Sequence, residues 1–109
     1  MAVVTITKDN FDEEVLAAKM PVILDFWGEW CDPCMMQAPV FEKLAEELDG
    51  KVKFGKVNTA GEVTLARAYQ VRNIPTMMVF KQGVLQKQIS GFQSKRQILK
   101  FLRSCEVEV

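Results

Sequence analysis

Two cysteines, Cys31 and Cys34, stand two residues apart in the segment Trp30-Cys31-Asp32-Pro33-Cys34. At the start of a helix this spacing suits reversible disulfide chemistry. The first thiol sits where free N–H groups and the positive end of the helix favour its thiolate. The second attacks a mixed disulfide from within the same molecule. Pro33 stiffens the turn and, at the helix entrance, gives up no needed N–H. A bare Cys-x-x-Cys also fits a pair of metal ligands or two buried thiols. Composition weakens the metal reading: the chain has one further cysteine, Cys105, and no histidine. Neither a four-cysteine nor a Cys/His zinc set can then be completed within one chain. A zinc or iron–sulfur site shared between the cysteine pairs of two chains remains as the metal alternative. The missing imidazole also excludes Ser/His/Asp and Cys/His nucleophilic catalysis.

The elements that must position the pair alternate along the chain. Val3–Ile6 reads as a short β-branched strand, followed by a helix from about Asn10 to Ala18 with Asp9 or Asn10 as N-cap. Pro21–Trp27 is a near-continuous apolar run, the pattern of a strand covered on both faces. The helix after the cysteines should begin at Asp32 or Pro33 and run to Leu48, with Phe41, Leu44, Ala45 and Leu48 as its buried stripe and Pro39 kinking it. Val52–Val57 is the next strand and Glu62–Tyr69 a short helix. Met77–Phe80 and Val84–Ile89 form a hairpin turned by Lys81-Gln82-Gly83. Ser94 caps a last helix that buries Ile98, Phe101, Leu102 and Cys105 on one face. The order βαβαβαββα predicts an α/β sandwich with a mixed sheet and helices on both sides.

The bulk properties bound the function. The 109 residues, 49% of them hydrophobic, suit one domain spanning 1–109 with a core that needs no disulfide staples. Fourteen basic residues balance 14 acidic ones, which leaves no electrostatic footprint for nucleic acid. No apolar run approaches the roughly 20 residues that cross a bilayer. The N-terminal run Met1–Lys8 lacks the basic start and long apolar stretch of a signal peptide, and three cysteines make a poor secreted framework. The expected location is the cytoplasm.

Taken together, Asp25-Phe26-Trp27-Gly28-Glu29-Trp30-Cys31-Asp32-Pro33-Cys34, the Ala38-Pro39 pair, Lys56-Val57-Asn58, Ile74-Pro75-Thr76 and Lys81-Gln82-Gly83 resemble the thioredoxin family in order and spacing. The likeness runs from Val3 to about Leu102. It implies a thioredoxin-like three-layer sandwich and a protein thiol–disulfide oxidoreductase that needs no cofactor or metal. Cys31 would be the exposed nucleophile and Cys34 the resolving cysteine, with Asp25 buried behind them as proton acceptor and donor for Cys34. The residues agree, because Asp25 interrupts an apolar strand and desolvation should raise its pKa toward neutrality. An edge-strand Asp facing water is the alternative. Lys56 would lie near Asp25 on the neighbouring strand and hold it partly ionised, or else be a plain solvated lysine. The likeness also makes Ile74-Pro75 a cis peptide facing the dithiol, with the backbone at Ile74 free to pair with an extended client segment. The alternative there is a Pro75 that merely begins an edge strand. Trp30, Asp32, Pro33, Ile74, Gly91 and Phe92 would surround the cysteines, with Met35 at the edge and Trp27 a packing residue. Disulfide-containing client proteins and a thioredoxin reductase are the implied partners of an expected monomer.

Several positions depart from the family pattern. Asp32 stands where glycine is usual, Met35 where a basic residue is common, and Phe92 where a small one is common. Thr59-Ala60 replaces a usually acidic stretch and Asn73 a frequent glycine. These bear on client range and reductase, leaving a general protein-disulfide reductase, a dedicated reductant for a few clients, or a binding subunit that uses the Trp30–Phe92 surface. Cys105 is expected to be a buried, inert thiol, with dimerisation through it as the alternative.

Overall fold

The computed structural model describes residues 2–109. Five strands, β1 (Val3–Thr5), β2 (Val22–Trp27), β3 (Lys53–Asn58), β4 (Thr76–Lys81) and β5 (Val84–Ser90), form one sheet in the order β1-β3-β2-β4-β5. The β1–β3 and β3–β2 pairs are parallel and the β2–β4 and β4–β5 pairs antiparallel, so the sheet is mixed. Three α-helices accompany it: α1 (Asp32–Glu47), α2 (Val63–Ala68) and α3 (Lys95–Ser104).

The alternation of side chains along the strands assigns the two faces. Ile23, Phe54, Met77 and Val79 point to one side, where Phe41, Leu44 and Ala45 of α1 and Ile98, Phe101 and Leu102 of α3 cover them. Val22, Leu24, Phe26, Val57, Met78 and Phe80 point to the other, against Leu65 of α2 and the Phe11–Val15 segment. There the rings of Phe11, Tyr69 and Phe80 close on one another with centroids 5.4–6.0 Å apart. Helices thus lie on both faces, the sandwich expected from the element order. β2 occupies the middle of the sheet, which is why its sequence reads as an apolar run.

The first helix departs from expectation. Instead of a helix over Asn10–Ala18, a five-residue π-helical turn spans Asp12–Leu16, led by Phe11 without a side-chain cap. Asn10 does not cap a helix with its side chain. Its Oδ1 accepts from the Thr7 N–H at 2.8 Å and its Nδ2 donates to the Thr5 carbonyl at 2.9 Å, tying the loop back to β1. Val15 of the turn and Phe11 just before it are buried against the sheet, while Asp12 and Glu13 face outward.

Elsewhere the expected elements stand, with ends moved by a residue or two. Pro39 lies inside α1, where it cannot donate to the Met35 carbonyl. Ser94 caps α3 in a reciprocal arrangement with Gln97. The hairpin turns on Gln82 and Gly83, both left-handed at φ +50° and +80°, as a tight two-residue connection requires. Beyond it, Val79 pairs with Lys87 and Phe80 with Leu85, leaving Gln86 as an extra residue on the edge strand.

Candidate active site

The loop between β2 and α1 carries the cysteines out at the carboxyl end of a central strand, where α/β sheets open a crevice. Gly28 allows that loop to close on the next one: a Cβ there would lie 2.7 Å from Cδ1 of Ile74. Trp30 takes a left-handed backbone (φ +60°), a strained conformation for a residue with a side chain, and its ring stands 98% exposed. Cys31 follows as the N-cap of α1.

Cys31 and Cys34 are joined as a disulfide with their Cα atoms 5.2 Å apart. The Cys31 sulfur accepts the Cys34 backbone N–H at 3.3 Å, taking the place a Ser or Asp oxygen fills at an ordinary helix start. It also lies 3.8 Å from the carbonyl oxygen of Ile74, whose bond to Pro75 is cis. Cys31 is partly exposed and Cys34 is buried at 1%. Asp32 and Pro33, in the first turn, are both exposed.

Behind Cys34 the site turns inward. Asp25 follows Ile23 on the α1-facing side of β2 and is only 4% exposed, so it is no edge-strand carboxylate facing water. Burial pushes its carboxyl up to about 7. Asp25, Trp27, Cys34, Met35, Phe41 and Lys56 line one cavity of about 220 Å³. Two buried polar atoms in that lining, Oδ1 of Asp25 and Nε1 of Trp27, have no hydrogen-bond partner among the described residues. Lys56 is the cross-strand neighbour of Asp25 and half-buried. The ion pairs among the described residues are Lys53–Glu14 and Lys95–Glu47, so Lys56 stands beside Asp25 without a salt bridge to it.

The rim opposite comes from the end of β5. The Gly91 N–H donates to the Pro75 carbonyl at 2.8 Å, which sets Gly91 and the 37%-exposed Phe92 beside the cis-proline loop. Pro75 itself is buried. Trp27 is partly buried in the cavity wall, whereas Met35 and Met36 are about half exposed on the first turns of α1. Cys105, at the C-cap of α3, is a free thiol buried in the α1-side core. Among the described residues no cluster of three metal-ligating side chains forms.

One structural residue escaped the sequence reading. Gln37 is completely buried on α1 and bonds the backbone of Gln93, across 56 positions of sequence. Its signal was present, since stepping the Phe41–Leu44–Leu48 stripe back one turn lands on a glutamine where an apolar residue is expected.

A family model described as Thioredoxin matches residues 2–104. The chain belongs to the thioredoxin family. It is 40% identical over 103 residues to the thioredoxin of Allochromatium vinosum, covering 94% of this chain and 96% of that one. It is 41% identical over 100 residues to the thioredoxin of Pseudomonas aeruginosa, covering 92% and 93%. With the thioredoxin of Rickettsia felis it shares 39% identity over 97 residues, covering 89% and 92%. Thioredoxin-family membership and the bonded Cys31–Cys34 pair make the chain a thiol–disulfide oxidoreductase that works by dithiol–disulfide exchange.

Proposed function

We propose that residues 1–109 act as one thioredoxin-like domain that reduces protein disulfides, with Cys31 as nucleophile and Cys34 as resolving thiol. The observation that carries this assignment is the asymmetry of the pair: Cys31 is partly exposed beside Ile74, while Cys34 is buried against the Asp25 cavity. In the reduced protein the Cys31 thiolate attacks a client disulfide, one S–S bond replaces another, and a client thiolate leaves. Cys34 then gives its proton to the Asp25 carboxylate and attacks the Cys31 sulfur. The Cys31–Cys34 bond forms and the second client thiolate departs. With a carboxyl titrating near 7, Asp25 is suited to both halves of that transfer.

Pro75 and Ile74 present a backbone edge to an extended client segment, and Trp30, Pro33, Gly91 and Phe92 give it apolar contact. Asp32 disfavours acidic clients and opposes the Cys31 thiolate. Lys56 sits at the cavity to bias the charge of Asp25. Two electrons must then be returned to the disulfide, and a thioredoxin reductase is the partner suited to supply them. No helix among the described residues is long and apolar enough to cross a membrane, and the protein is proposed to work as a monomer in the cytoplasm. Trapping tests the roles: Cys34→Ser should accumulate mixed disulfides with clients and Cys31→Ser should not. The opposite pattern would overturn the assignment.

A further inference from the structure

Gln37 has no place in the exchange steps, yet it is a fully buried primary amide on the helix that carries the dithiol. Burying an amide is unfavourable unless both its ends are paired. Here they are, and on a single residue: Nε2 donates to the Gln93 carbonyl at 3.0 Å, and Oε1 accepts from the Gln93 N–H at 2.8 Å. Gln93 is buried in turn, and its own amide folds back to donate to the Gly91 carbonyl at 3.2 Å.

The segment from Ser90 to Gln93 is held by hydrogen bonds more than by packing. At its upstream end Ser90 Oγ lies 3.1 Å from Thr76 Oγ1, and the Gly91 N–H donates to Pro75. In between, Gly91 is left-handed at φ +89°, and a Cβ built there would meet nothing within 4 Å. Without a downstream anchor this stretch would be free to sample many conformations. Downstream, Ser94 is fixed as the cap of α3, and Gln37 holds Gln93, the residue between that cap and Phe92. A leucine at 37 would continue the apolar stripe of α1 but leave the Gln93 N–H and carbonyl buried and unpaired. Gln37 thus contributes through its hydrogen bonds to a distant backbone and not through the apolar packing of its helix face.

We propose that Gln37 is a positioning residue for client recognition: its amide pins Gln93 so that Gly91 and Phe92 stand in a fixed conformation beside the dithiol before a client arrives. The proposal rests on the reading that Gly91 and Phe92 touch the client. Pre-ordering lowers the entropy that binding must otherwise remove, so its loss appears in KM and not in the exchange step. A small aromatic disulfide, too short to lie along the segment, should be indifferent to it.

The test compares the parent with Gln37→Met, which keeps length and volume and removes both hydrogen bonds. Insulin reduction at fixed dithiothreitol gives KM and kcat, and reduction of 5,5′-dithiobis(2-nitrobenzoate) by the pre-reduced protein gives the small-disulfide rate. The expected result is an insulin KM raised about three- to tenfold, with kcat and the small-disulfide rate unchanged. An unchanged insulin KM would overturn the proposal, as would an equal loss toward both substrates. A parent that does not reduce insulin would count against the proposed function instead. Should Gln37→Met not fold, amide hydrogen exchange of the parent decides: the Gln93 N–H should exchange far more slowly than that of Phe92, and equal rates would refute the anchor.

Discussion

The two faces of the sheet are built to different rules. On the α2 side Phe11, Tyr69 and Phe80 interlock over Leu24, Phe26 and Met78, and the packing is apolar and aromatic. On the α1 side the same sheet carries Ile23 and Met77, but also Asp25, with Gln37 and Gln93 buried nearby and a cavity reaching the disulfide. A core that serves only cohesion can be all hydrocarbon. One that must move a proton and hold a binding segment accepts buried polar groups, each with its own energetic cost. Damage on the first face should therefore lower stability and spare chemistry. Changes on the second should alter chemistry with small, or even opposite, effects on stability.

The largest effect that could break this division is expected at Phe80. It is 1% exposed and meets both other rings, so Phe80→Ala should lower unfolding free energy by about 3–5 kcal/mol. Exchange per folded molecule should stay at the parent's rate. Denaturant melts paired with single-turnover kinetics at low temperature check both halves, and a proportionate loss of exchange rate would erase the distinction between the faces.

Asp25 sharpens it from the other side. Burial raises its folded pKa to about 7 from the ordinary carboxyl value of 3.8, so ionising it costs the folded state more than the unfolded one. The resulting penalty is absent below about pH 4, grows as pH rises through 7, and then levels off. Asp25→Asn should accordingly be more stable than the parent at pH 8 by roughly 2–4 kcal/mol. The two should converge near pH 4. Resolution of a mixed disulfide should meanwhile slow by about 100-fold. Chemical denaturation across pH and quench-flow decay of a trapped client complex measure the pair of effects. A variant less stable than the parent at pH 8 contradicts the burial argument.

Smaller changes are expected at the rim. Asp32→Asn removes a carboxylate from the turn between the cysteines at nearly constant volume, and the midpoint of thiolate absorbance should move to lower pH. The gain in thiolate is offset by its weaker nucleophilicity, so exchange at pH 7 should change by no more than about twofold. An upward move of the midpoint would sink the electrostatic account. The smallest effect concerns Cys105, 4% exposed in the α1-side core. In the native reduced protein it should label with iodoacetamide far more slowly than Cys31, as peptide mapping would show. Rapid labelling would place the thiol outside the core.

Much of this division was legible in the residues. Asp25 announced itself as a charge inside an apolar run, and the run itself fits a central strand, because a strand covered on both faces omits polar alternation. The cysteine spacing, Ile74-Pro75 and the hairpin turn were equally local signals. The Asp12–Leu16 turn was not legible, since acidic residues followed by Val15 and Leu16 fit the start of an ordinary helix. Nothing local distinguishes the wider π-helical register from an ordinary first turn. Nor was the Gln37–Gln93 link: the period marks Gln37 as a polar residue on an apolar stripe, but it does not say which backbone 56 positions away the amide meets. Cross-strand register put Lys56 beside Asp25, but whether their charges touch depends on side-chain direction, which spacing does not specify.

The irregularity in β5 carries a consequence for life at high concentration. This is an outer strand seven residues long, with Val84 60% exposed, and an open strand of that length is a template for recruiting copies of itself. The supernumerary Gln86 interrupts the two-residue repeat, and its amide folds back to donate to the Val84 carbonyl at 3.0 Å, so the outer edge is irregular where a second strand would have to pair. Lys87 follows with a charge that a second copy would bring against its own kind. An inserted residue and a charge beside it both make an edge a poor template for a copy of itself, and they lie at the end of the sheet where β5 has no strand beyond it.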